Sequence, residues 1–302
     1  MENDQINHSN KRYKSRKYLI VNADDYGYYD CVSKGILSAA NKGVVTATGI
    51  FANSPFLEEH LHWLKQCSTL DVGVHLNLTD RSPLTSAMSS KLEKWDGCFP
   101  GKFIMASWIL AGRLSLDEVA QELRAQIERC LAADLNVSFL NSHEHIHMLP
   151  SVFQITQKLA AEYGVPHVRY AAPDAVNSLK PAPLIRDIVL KMLSRKNRKS
   201  LNTPVLPFLG MAASGQLSLE YLRSVLSKLS SGVYELMCHP GACGGDEASK
   251  LAHSAYHNWI GELDVLMGKD FRLLCHQEKI ELIGYRQTKI VDGQIKAMCT
   301  YG

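Results

Sequence analysis

In the segment NSHEHIHMLP, His143, His145 and His147 occupy alternate positions and a proline follows at 150. Imidazole ligates metals and carries protons near neutral pH, so three in five residues is a chemical signal. Alternation puts all three on one face of an extended segment. Where a short strand runs out into a loop, only His143 keeps the strand's direction. Three other segments end in groups of the same kind. NADDYG presents Asp24 and Asp25, GVHLNLT contains His75, and ELMCHPG presents His239. Carboxylates and imidazoles drawn from separate segments suit Zn²⁺, Mn²⁺ or Mg²⁺, and catalytic sites use few protein ligands so that water can fill an open position. Each group alone has a plainer reading: the Asp24–Asp25 pair as a helix cap with a solvated neighbour, His75 as a core histidine, His239 as part of a Pro-Gly turn. Their coincidence at four segment ends favours a metal site.

Such groups need strands to hold them. KYLIVNADD, VVTATGIFAN, LDVGVHLNLT, VSFLNSHEHIHMLP, VPHVRYAA and GVYELMCHPG are apolar, β-branched runs that end in polar residues, as buried parallel strands do. Between them, DCVSKGILSAANKG, FLEEHLHWLKQC, SLDEVAQELRAQIERCLAADL and SVFQITQKLAAEYG carry apolar residues at helical spacing. Ser115 and Glu118 form a capping box, Ser151 reads as an N-cap and Gly164 as a stop. Strand–helix alternation at this spacing implies βα units and one α/β domain, a barrel or a doubly wound sheet, with function beyond the C-terminal ends of the strands. Residues 80–114 break the rhythm with Pro, Gly and Ser and read as an active-site insertion. His253 and His257, at i, i+4 without a carboxylate motif, read as a solvated helical surface.

The chain of 302 residues, 46% hydrophobic and 21% charged, is long enough for a sizeable core. Its net charge of +3 is exceeded by the five basic residues between Lys11 and Lys17, so residues 1–16 read as a solvated, disordered leader and the rest is near neutral. Nucleic acid is not an expected partner. No apolar run approaches the roughly 20 residues of a transmembrane helix, and residues 1–17 are polar throughout, without the layout of a secretory signal. Eight cysteines are scattered without a C-x-x-C pair, which reads as reduced thiols in a cytoplasmic protein. Oligomeric state is open, a homodimer being one option.

Taken in order and at these separations, LIVNADDYG, GVHLNLT, NSHEHIHMLP and ELMCHPG resemble the YdjC-like (ChbG-type) carbohydrate deacetylases, from about Lys17 to beyond His239. The resemblance implies a single-domain, distorted (β/α) TIM-like barrel over residues 17–302, related to the polysaccharide deacetylases. It implies removal of an acetyl group from an N-acetylated sugar, chitooligosaccharides included, with one divalent metal ion, Mg²⁺ or Zn²⁺. Carried onto this chain, it makes Asp25, His75 and His143 the metal ligands, Asp24 the general base and His239 a candidate general acid. His145 and His147 then orient ligands or line the pocket. The family usually has aspartate where this chain has Asn141, and many members have histidine at Glu144. An uncharged Asn141 is expected to lower metal affinity or rate. Arg169 is placed to meet a sugar or to pair with a site carboxylate. Trp95, Phe99, Phe103 and Trp108 of the insertion are expected to pack, with stacking on sugar rings as the alternative. Two other readings keep the site: hydrolysis of a different amide or ester, and a family member that binds sugar or metal without turnover.

Overall fold

The structure is a computed structural model and describes residues 16–173, 181–245 and 249–298. The basic leader therefore lies almost wholly outside the described residues. Eight parallel strands form one sheet: β1 (Lys17–Tyr26), β2 (Ala47–Ile50), β3 (Asp71–Leu76), β4 (Val137–Ser142), β5 (His167–Val168), β6 (Phe208–Leu209), β7 (Gly232–Cys238) and β8 (Ile280–Leu282). The order is β5-β4-β3-β2-β1-β7-β6, with β8 pairing the start of β1. The path ends at β5 and β6, so the expected distorted barrel is an open, curled one. A hairpin of Thr288–Val291 and Gln294–Ala297 follows, turning at Asp292–Gly293.

Burial explains the composition of the strands. In β1 every residue from Leu19 to Tyr26 is buried; Leu19, Val21 and Ala23 join the main core while Ile20 joins a cluster with Phe139 and Tyr285 on the opposite face. Both faces of a parallel sheet are covered, which is why the run shows no polar alternation. Among the helices, α1 (Asp30–Asn41), α2 (Leu57–Leu64), α3 (Ser86–Lys91), α4 (Lys102–Leu110), α5 (Leu116–Ala132) and α6 (Pro150–Glu162) matter here. The Ser115–Glu118 capping box of α5 is formed. Ser151 is not a cap: α6 begins one residue earlier, because Pro150 suits the first helical position, where its missing N–H costs nothing.

The structure decides one open alternative and overturns two expectations, each for an identifiable reason. β4 stops at Ser142, and the three histidines do not share a strand face; His143–Met148 is a 3₁₀ segment with Glu144 and His145 left-handed (φ 51° and 56°). The stretch around His253 and His257 is a turn, not a helix, and His257 is partly buried. The cysteines are not all reduced: Cys31 and Cys243 form a disulfide with Cα atoms 5.0 Å apart across a sequence separation of 212 residues. A pairing that distant leaves no spacing signal, since the fold alone brings the β1 and β7 exits together. No helix among the described residues is long and apolar enough to cross a membrane.

Candidate active site

Because all eight strands run the same way, their polar exits gather at one end of the sheet. Register does the finer placement. Ala23 is level with Cys238, so Asp24 and His239 leave adjacent strands together, and His75 on β3 lies directly beside Asn141 on β4. Successive residues of a regular strand point to opposite faces, which would separate Asp24 from Asp25. Instead the β1–β2 register shifts between Ala23 and Tyr26, and Asp25 takes a left-handed φ of 70°. This bulge turns both carboxylates into one site, and Asp tolerates that conformation better than most residues. Gly49 on β2 supplies the space: a Cβ there would lie 3.0 Å from Asn141 Oδ1 and 3.2 Å from His75 Nδ1.

Asp25, His75 and His143 are all buried, and their ligand atoms lie within 4.8 Å of one another. One oxygen, Asp25 Oδ1, is 3.1 Å from His75 Nε2 and 3.0 Å from His143 Nδ1. Burial opposes ionisation of Asp25, but the charge and hydrogen bond of His143, with the bond from His75, hold its carboxyl well below the usual range. Burial likewise opposes a charge on His143, and Asp25 overcomes it, raising that imidazole above its ordinary value.

Asn141 fixes which nitrogen of His75 carries the proton. Its amide Nδ2 donates to Asp24 Oδ1 at 2.9 Å, and its Oδ1 lies 2.8 Å from His75 Nδ1. Since that oxygen only accepts, His75 must donate from Nδ1, and Nε2 is the ring nitrogen turned toward Asp25 Oδ1. With Nδ1 engaged by Asn141, the Nε2 nitrogen and the Asp25 oxygen 3.1 Å from it are two ligand atoms that a single cation could share. His143 Nε2 is buried and has no hydrogen-bond partner among the described residues. Donor set, burial and tautomer all fit a divalent ion. Asn141→Ala removes both bonds, and the expected result is metal affinity about 10–100-fold weaker, the usual effect of losing a group that orients a ligand; competition with a chromogenic chelator measures it.

Asp24 is the most heavily bonded group. Oδ1 accepts from Asn22 Nδ2 (3.1 Å), Asn141 Nδ2 and Arg169 NH2 (2.8 Å), whereas among the described residues Oδ2 accepts only from Arg169 NH1 (2.6 Å). Burial raises its pKa, but the charge of Arg169, aided by His75, outweighs that and leaves the carboxyl below its ordinary value. Asp24 is therefore ionised at neutral pH, with a free acceptor position on Oδ2. Arg169 is buried and also donates from Nε to Glu235 Oε1 at 2.6 Å.

His239 donates its backbone N–H to Glu262 Oε2 at 2.5 Å; its ring Nδ1 is 4.0 Å from the same oxygen and has no hydrogen-bond partner among the described residues. Its ring lies 4.7 Å from that of His257, which in turn stacks on Trp259. Burial, with the charge of His239, pushes His257 down to about 3, so it stays neutral. His147 is turned away, held by Ser142 Oγ (2.5 Å) and the Arg169 carbonyl (2.9 Å). His145 packs against Phe208 beside the site; burial and Arg169 keep it neutral.

Sequence reasoning missed Glu235, Glu262 and His257. It also missed that Asp80 and His253 form a second group with His143, their ligand atoms all within 4.8 Å of one another. That second group is weaker as a metal centre: Asp80 already accepts from the Tyr28 hydroxyl and the Arg81 N–H, and His253 is exposed.

A model of the YdjC-like protein family matches residues 18–277. A carbohydrate deacetylase of Brevibacillus brevis is 32% identical over 269 residues, 89% of this chain and 98% of that protein. A carbohydrate deacetylase of Listeria welshimeri is 30% identical over 270 residues, with the same coverage. Among solved structures, a proposed cellobiose-phosphate cleavage protein of Enterococcus faecalis V583 superposes with a TM-score of 0.72 at 26% identity, covering 90% of this chain and 98% of the other.

Proposed function

Since the chain belongs to the YdjC-like protein family, we propose that it is a metal-dependent hydrolase that removes the acetyl group from an N-acetylhexosamine, free or within a glycan or glycolipid. The observation that carries this reading is the meeting of Asp25, His75 and His143 on one side of Asn141 and the Arg169-held Asp24 on the other. Asp25, His75 and His143 would hold one Zn²⁺ or Mg²⁺ ion, which when bound supplies Lewis acidity to an acetamide carbonyl and to the attacking water.

The chain's own groups do the rest. Asp24 takes the water's proton on Oδ2, the oxygen with a free acceptor position. Arg169 anchors that carboxylate through two parallel bonds, and Glu235 anchors Arg169. Asn141 keeps His75 in the tautomer that turns Nε2 to the ion. His239, at the matching level of β7, gives a proton to the departing sugar amine, with Glu262 fixing its backbone.

The test is product chemistry. Hydrolysis of the acetamide must release acetate and a free amine in equal amounts from N-acetylglucosamine or its β-linked oligomers. Equal release supports the reading. Metal bound at the site with neither product from any acetylated sugar would overturn it.

A further inference from the structure

The four aromatic residues of the 80–114 insertion part company in the structure. Phe99 is buried, and Trp95 and Trp108 meet edge to face at 4.9 Å against the core. Phe103 is 81% exposed. A lone exposed phenylalanine signifies little in itself. What distinguishes this one is its tether. Phe103 is the second residue of α4, and the first, Lys102, reaches Glu144 Oε1 with its Nζ at 2.7 Å. Glu144 follows the candidate metal ligand His143 in the chain and adopts the left-handed turn that ends the strand direction. Lys102 Nζ also lies 5.4 Å from the centre of the Phe103 ring. The two distances bound the ring centre to within about 8 Å of the Glu144 carboxylate.

Phe103 thus stands near the segment that carries His143, its face open to water, beside one ammonium and one carboxylate. A pyranose ring offers complementary chemistry: an apolar face of C–H groups bounded by hydroxyls that both donate and accept. Aromatic side chains supply large, rigid contact area at small conformational cost. We propose that Phe103, held by the Lys102–Glu144 ion pair, is a stacking platform for a second sugar ring, so that the chain favours N-acetylhexosamine oligosaccharides over the monosaccharide. This inference rests on the deacetylase reading and adds substrate length to it. Glu144 then has a defined role: it anchors the insertion through Lys102.

The test compares N-acetylglucosamine with its β-1,4-linked trimer. In Phe103→Ala the ratio of kcat/KM on trimer to that on monosaccharide falls about tenfold, through KM rather than kcat, while Phe103→Trp retains it. Lys102→Met, which leaves the ring but frees its support, lowers the ratio in part. An unchanged ratio in Phe103→Ala overturns the platform and leaves deacetylation standing. If no acetate appears from either sugar, calorimetric titration of the trimer onto the metal-stripped protein decides. About tenfold weaker binding in Phe103→Ala supports the platform; equal affinity, or no binding by the wild type, overturns it.

Discussion

Asp24→Asn lowers kcat by about 10²–10⁴-fold, the usual contribution of a placed proton acceptor, while the protein still binds one metal ion per chain. The two halves of this result have separate causes. Asp24 has no atom among the three that would hold the ion; its link to them runs through Asn141 to His75 Nδ1. The amide that replaces it keeps size and shape but accepts a proton poorly. One complication is electrostatic. Arg169 is buried, and Asp24 and Glu235 share its charge; losing one partner of a buried pair is destabilising. Thermal unfolding of the variant therefore accompanies the kinetics. A folded variant with metal bound and turnover lost meets the expectation. A folded variant with near wild-type turnover would remove Asp24 from the chemistry.

The second large effect is loss of the ion itself. His75→Ala or His143→Ala takes away one of three ligands, and affinity falls by at least about 100-fold, more than the loss of a supporting group costs. Activity falls with it and returns only where added metal restores occupancy. His147→Ala is the contrasting case. That ring braces Ser142 and the Arg169 carbonyl, so its loss shows as a lower melting temperature with metal affinity largely kept. Equilibrium dialysis against Zn²⁺ across the three variants separates ligands from braces. Equal affinity in all three would mean that the buried trio does not hold the metal.

Much of this arrangement was legible from sequence because strands buried on both faces leave polar residues only at their ends. The runs ending in Asp24–Asp25, Asn141–His143 and His239 announced strand and site together. His75 was readable as an imidazole within an apolar strand, two residues before polar Asn77. What sequence could not show was how the backbone departs from regularity. Alternation put three histidines on one face; left-handed Glu144 and His145 rotate the later two out of register with His143. The same alternation would have set Asp24 and Asp25 apart, and only the bulge at Asp25 reunites them. Glu235 looked like one polar residue in a strand, because its partner Arg169 comes from a strand 66 positions away. Glu262 and His257 arrive from a segment whose turn was taken for a helix, and Cys31 meets Cys243 only through the adjacency of β1 and β7.

Titration of metal into stripped protein, with acetate release from the N-acetylglucosamine trimer followed at each step, tests the central claim most directly. The account predicts no acetate without metal, a rate that climbs with each addition, and a plateau at one equivalent per chain. Release that is undiminished in the stripped protein, or absent at full occupancy, would contradict it.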